Sequence, residues 1–175
     1  MKEIDWSSLS FGYMKTDYNV RCWYRNGAWG EIEVSSEETL NIHMAATCLH
    51  YGQEAFEGLK AYRCPDGKVR VFRMDENAAR LQSSCRGIMM PELPTELFEE
   101  MVTKVVRLNE GYIPPYESGA SLYIRPNFDF MRFQLNTKSI DFSIHFDFNL
   151  NFVLILYILE NPKTFNEKLQ WLKIH

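Results

Sequence analysis

Two arginines and a tyrosine carry the strongest chemical signal in this chain. Tyr123 and Arg125 alternate with Leu122 and Ile124, and alternate residues of an extended strand share a face. A phenol then lies beside a guanidinium, whose planar fork of donors suits a carboxylate. A cross-strand ion pair is the alternative use of that arginine. Arg80 sits in a helical stretch near Ala78 and Leu81 and is expected to point inward. An inward cation needs an anion, because an unpaired buried charge is prohibitive. An internal carboxylate satisfies that need as well as a bound anion does. His50 and Tyr51 precede Gly52 and either line a pocket or pack a turn. Glu57-Gly58 interrupts an apolar strand pattern, which marks a close backbone approach or a bulge. No GxGxxG, P-loop, GxSxG, HExxH or EF-hand pattern accompanies these residues.

The elements that must hold them change period along the chain. Residues 1 to about 20 are polar and mixed, as expected of an arm laid over a domain. Val20–Tyr24 reads as a strand, Asn26-Gly27 as a two-residue hairpin turn, and Ala28–Val34 as its return. Thr39–Met44 alternates enough to suggest another strand. Ala55–Tyr62 reads as a strand broken at Gly58, Pro65-Asp66-Gly67 as a turn, and Lys68–Arg73 as the next strand. Asp75 is the expected N-cap of a helix with Ala78, Leu81 and Cys85 inward. Thr95 opens a second helix with Leu97, Met101, Val105 and Leu108 inward, ended by Gly111 and Pro114-Pro115. Ala120–Ile124 reads as a buried strand. Hairpins followed by helices predict an α+β fold, a mainly antiparallel sheet with helices packed on it.

Composition narrows the function classes. The 175 residues are 46% hydrophobic and 24% charged, as in soluble globular domains. A net charge of -4 argues against a nucleic-acid partner. No signal-peptide pattern opens the chain, and the apolar run Phe152–Leu159 is far shorter than the roughly 20 residues of a membrane-spanning helix. Cys22, Cys48, Cys64 and Cys85 follow neither a CxxC nor a zinc-ligand spacing, so reduced thiols, a cytoplasmic location and no metal site are expected.

The text of the chain breaks at Pro126. All nine glycines lie at or before Gly119, Ala120 is the last alanine, and the stretch from Asn127 to His175 is dense in Phe, Ile, Leu, Asn and Lys. Folded domains draw on Gly and Ala for turns and close packing. The expected organisation is therefore a domain over 1–126 and a tail over 127–175 that is frameshifted or misjoined and poorly folded. Phe128, Phe130, Phe142, Phe146, Phe148 and Phe152 nonetheless offer a strand-like alternation within it.

Three runs in register carry a family resemblance. Leu49-His50-Tyr51-Gly52-Gln53-Glu54-Ala55-Phe56-Glu57-Gly58-Leu59-Lys60-Ala61-Tyr62-Arg63, then Phe72-Arg73 through Asn77-Ala78-Ala79-Arg80-Leu81, then Ser121-Leu122-Tyr123-Ile124-Arg125-Pro126 closely resemble the branched-chain-amino-acid aminotransferases of the fold-type IV pyridoxal-phosphate class. The resemblance covers essentially residues 1–126 and implies the small domain of that fold. It implies pyridoxal 5'-phosphate as cofactor, with Arg80 gripping its phosphate. It implies Tyr123 and Arg125 as substrate-pocket residues that help hold carboxylates. Phe56 and Tyr51 become pocket walls around a branched side chain, with Tyr51 serving across a homodimer interface. The implied substrates are Leu, Ile or Val with 2-oxoglutarate or glutamate.

The same resemblance implies what the matched region lacks. The lysine that bonds the cofactor, and the carboxylate that partners its pyridinium nitrogen, belong to the family's second domain. Lys60 is not that lysine, and Lys138, Lys163, Lys168 and Lys173 stand in no matching context, so no catalytic residue is assigned. A truncated, inactive copy is expected. A noncatalytic small domain acting as a binding or dimerisation module is the rival reading. A D-amino-acid aminotransferase or aminodeoxychorismate lyase is a rival within the fold, disfavoured by the Tyr123-Ile124-Arg125-Pro126 run and the long N-terminal arm.

Overall fold

The computed structural model describes residues 4–6, 12–130 and 150–159. In chain order these form β1 (Gly12–Tyr13), β2 (Asn19–Arg21), β3 (Trp23–Arg25), β4 (Ala28–Trp29), β5 (Glu33–Ser35), α1 (Thr47–Tyr51), β6 (Glu54–Phe56), β7 (Leu59–Arg63), β8 (Val69–Val71), α2 (Met74–Gly87), α3 (Thr95–Leu108), β9 (Ser121–Phe130) and β10 (Leu150–Leu159). The main sheet runs β4-β3-β10-β9-β7-β8, with β1 beside β10 and β6 beside β9, and β2 pairs β5 separately. Every pairing among the described residues is antiparallel. The α+β reading stands.

Ten-residue β9 organises the sheet. Its even positions Leu122, Ile124 and Phe128 are fully buried, whereas Tyr123, Arg125 and Asn127 are half-buried, the alternation of a strand with one face on the core. Helices α2 and α3 close that core with Ala78, Leu81 and Cys85 from one and Phe98, Met101, Val102, Val105 and Val106 from the other. The N-terminal arm lies over the end of α3. Tyr112 donates to Asp17 at 2.9 Å, and buried Asn109 exchanges hydrogen bonds with the Tyr18 backbone. Ile4 and Trp6 pack against the same core.

Several local expectations give way to context. The strand expected over Val20–Tyr24 breaks at Cys22 into β2 and β3, which serve different sheets. Its expected return divides likewise, into β4, which pairs with β3, and β5, which pairs with β2, after a turn with positive φ at both Asn26 and Gly27. Thr39–Met44 is irregular. The His50-Tyr51-Gly52 turn is the end of α1, capped by left-handed Gly52. Arg73, not Asp75, is the N-cap of α2; Asp75 and Glu76 fall in its first turn, where they complement the helix dipole. On α3 the buried stripe runs through Phe98 and Val102, leaving Leu97 and Leu108 only partly buried.

The expected boundary at Pro126 falls inside β9. The strand continues to Phe130, and Leu150–Leu159 pairs with it from Leu150↔Phe130 to Leu159↔Ser121. The other tail phenylalanines, Phe142, Phe146 and Phe148, lie outside the described residues. No helix among the described residues is long and apolar enough to cross a membrane, and no disulfide joins any of the four cysteines.

The β7–β8 turn offers a local pH test. Asp66 accepts two hydrogen bonds from Arg70, at 2.8 and 2.7 Å, and one from the Lys68 N–H. The Arg70 guanidinium holds the Asp66 carboxyl at about 2, below its ordinary 3.8. A depressed carboxyl stabilises the fold above its ordinary value and loses that contribution as pH falls toward 2. Carboxyl-carbon NMR is expected to give a midpoint near 2 that moves back toward 3.8 in Arg70→Gln. An unchanged midpoint in that variant would show that Arg70 is not the cause.

Candidate functional site

The site is built around a two-residue gap. Strands β6 and β7 both pair with β9 in one continuous register, Phe56↔Asn127 before the gap and Leu59↔Ile124 after it. Glu57 and Gly58 stand between them, and the Glu57 N–H still donates to the Pro126 carbonyl at 3.0 Å. Of the two sequence-level readings of Glu57-Gly58, close backbone approach is the one realised. A Cβ on Gly58 would fall well inside contact distance of Tyr123 Oη and 2.9 Å from its Cζ.

Because neighbouring strand residues face opposite ways, Glu57 and Gly58 serve different faces. Glu57 is 4% exposed and meets α2. Its carboxylate accepts from Arg80 Nε and Nη2, both at 2.6 Å, and from Asn77 Nδ2 at 2.8 Å. This corrects the inward Arg80: its side chain is 66% exposed, and the buried member of the pair is the carboxylate. The pairing follows because a long Arg can reach a buried anion while keeping part of its guanidinium in water. The Glu57 carboxylate also raises the Arg80 guanidinium above its ordinary value.

The other face holds Tyr123, Arg125 and Phe56. Arg125 Nε donates to Tyr123 Oη at 3.1 Å, and its guanidinium lies 4.6 Å from the Phe56 ring centre and 5.3 Å from that of Tyr123. Aromatic faces attract a cation electrostatically, so the three side chains form a guanidinium set between rings. Phe56 stays 58% exposed. Lys60 stands opposite Tyr123 in the β7–β9 register. Tyr51 ends α1 and is 84% exposed; beside it His50 Nε2 is 2.7 Å from the Met44 carbonyl.

Five site residues were expected, and the structure brings three of them together. Arg80 belongs to the helix-covered face and Tyr51 to the exposed end of α1. Sequence reasoning missed Glu57 as the holder of Arg80, and Asn77 as a second donor to the Glu57 carboxylate. The signal was available in part: a cation beside apolar helix positions demanded an anion, and Glu57 interrupted an apolar strand pattern nearby in the chain. No group of three or more His, Cys, Asp or Glu among the described residues is arranged to hold a metal.

A stretch of 126 residues of the chain matches known proteins. The chain is 48% identical over 126 residues to a branched-chain-amino-acid aminotransferase of Haemophilus influenzae, covering 72% of this chain and 37% of that protein. It is 44% identical over 123 residues to branched-chain-amino-acid transaminase 1 of Bacillus subtilis, covering 70% and 34%. Over the matched residues the chain is similar to the branched-chain-amino-acid aminotransferases. It spans little more than a third of the length of these relatives. The solved Escherichia coli member of the family has a TM-score of 0.56 at 24% identity, covering 81% of this chain and 41% of that one. A second solved member, in complex with N-(5'-phosphopyridoxyl)-L-glutamate, has a TM-score of 0.54 at 23% identity, covering 82% and 42%. Both likenesses establish the shared fold. No family model matches the chain.

The donor chemistry fits part of the family's cofactor. A phosphate monoester asks for a guanidinium with accessible N–H groups, and Arg80 supplies one. When bound, pyridoxal phosphate supplies an electron sink for the α-carbon of an amino acid. Besides Arg80, the described residues of the site offer the Arg125 guanidinium bonded to the Tyr123 hydroxyl and set beside the Phe56 ring.

Proposed function

We propose that this chain carries the small-domain share of a pyridoxal-phosphate-dependent branched-chain-amino-acid aminotransferase. The family reaction moves an amino group from Leu, Ile or Val to 2-oxoglutarate. In this reading Arg80 grips the cofactor phosphate, Tyr123 and Arg125 hold substrate carboxylates, and Phe56 and Tyr51 wall the branched side chain. The reading extends to a domain over 1–126 with 127–175 outside the family pattern, and to a cytoplasmic location. The carrying observation is the Arg125 guanidinium fixed between the Phe56 and Tyr123 rings. Homodimerisation belongs to the same reading, with exposed Met44, Leu49 and Tyr51 as the surface for a second copy.

The test uses 4-methylvalerate, which has the branched chain and the carboxylate but no amine. The full chain is expected to bind it, and Arg125→Gln to weaken binding roughly tenfold, the worth of a charge-assisted hydrogen bond. Equal binding by the variant would remove Arg125 from the pocket.

A further inference from the structure

The Glu57 carboxylate decides which edge of Arg80 is left for another anion. A guanidinium can bind a carboxylate along its Nε/Nη2 side or along its distal Nη1/Nη2 edge. Glu57 takes the side position, one oxygen to Nε and the other to Nη2. The carboxylate is itself fixed: Asn77 donates to it at 2.8 Å, the Gly58 N–H at 3.3 Å, and the residue is 4% exposed. Arg80, by contrast, keeps 66% of its side chain accessible. The fork is therefore pinned at its base, with its far edge directed away from Glu57.

We propose that Glu57 is a positioning residue, which holds the distal edge of Arg80 ready for a phosphate monoester. This rests on the reading of Arg80 as the phosphate-gripping residue. The charge balance makes orientation decisive. Seen from a distance the Glu57–Arg80 pair is close to neutral, so long-range attraction contributes little and the phosphate must be held by short, directed N–H bonds. A lysine at the same place keeps the charge but has no second edge. The ammonium would bond Glu57 or the phosphate without fixing both.

The test compares pyridoxamine 5'-phosphate with pyridoxamine, which differ by the phosphate and carry no aldehyde to react with surface lysines. Equilibrium dialysis on the full chain gives the phosphate-dependent affinity ratio, a quantity that general loosening of the fold does not move selectively. Arg80→Gln, Arg80→Lys and Glu57→Gln are each expected to shrink that ratio roughly tenfold, with pyridoxamine binding unchanged. A full ratio in Glu57→Gln, beside a lost one in Arg80→Gln, overturns the positioning role and leaves Arg80 as the phosphate grip. No phosphate preference in the unmodified chain, or one that survives Arg80→Gln, overturns both. Should Glu57→Gln lose its far-ultraviolet circular dichroism, the exposed Arg80→Lys change decides: a ratio like that of the unmodified chain refutes the need for a pinned fork, and a lost ratio supports it.

Discussion

Gly58→Ala is expected to destabilise the fold by about 1–3 kcal/mol, the usual cost of forcing an atom into a filled space, and to weaken 4-methylvalerate binding about as much as Arg125→Gln does. The added methyl would press on Tyr123 Oη and lie 2.9 Å from Cζ and 3.0 Å from Cε2, so the ring has to leave. Arg125 is bonded to that hydroxyl and loses its orientation with it. Two controls isolate the cause. Gly52→Ala meets no atom within 4 Å and suffers only from its left-handed backbone, φ +60. It should cost stability while leaving 4-methylvalerate binding intact. Tyr123→Phe in the Gly58→Ala background removes the nearest atom and should recover part of the stability. Chemical denaturation with a parallel binding titration reads both effects, and unchanged binding in Gly58→Ala would refute the coupling.

Phe128→Ala is expected to cost about 3–5 kcal/mol, as large aromatic deletions from a closed core do. Phe128 is fully buried and meets Trp29 edge-on at 5.7 Å between ring centres. It is also register partner to Ala55, whose methyl cannot fill the vacated space. Phe56→Ala, on the exposed face, serves as comparison and should cost much less. The position matters because Phe128 stands two residues beyond Pro126, where the composition of the chain changes. Urea midpoints for the two variants measure whether core packing continues past that point. Equal, small losses would show that it stops there.

Legibility followed the range of the physics involved. The Asn26-Gly27 turn, the Pro65-Asp66-Gly67 turn and the interruption at Gly58 were readable because turn chemistry is local. So was the inward set of α2, since three apolar residues at helical spacing allow little choice. On α3 Met101 and Val105 are inward as expected, but the ends of the stripe differ: Leu97 and Phe98 are both apolar, and only the packed neighbours choose between them. Val20–Tyr24 looked continuous, yet β2 pairs with β5 apart from the main sheet while β3 joins β10, a partner far along the chain. The site divided the same way. Tyr123 and Arg125 share a face by strand geometry alone. That Arg80 reaches out to a buried carboxylate required knowing which face of α2 meets β6.

The Glu57-Gly58 pair also guards the alignment of the chain. A one-residue slip exchanges the two faces of a strand. If β6 shifted by one position along β9, Glu57 would be driven toward the Tyr123 ring and Gly58 would face α2. The misaligned state would then strand the Arg80 and Asn77 donors on one side and create a collision on the other. A three-residue strand has few hydrogen bonds with which to choose its partner, so errors of one step should be its characteristic fault. Two neighbouring residues, one large and charged and the other lacking a side chain, make that fault unfavourable from both directions at once.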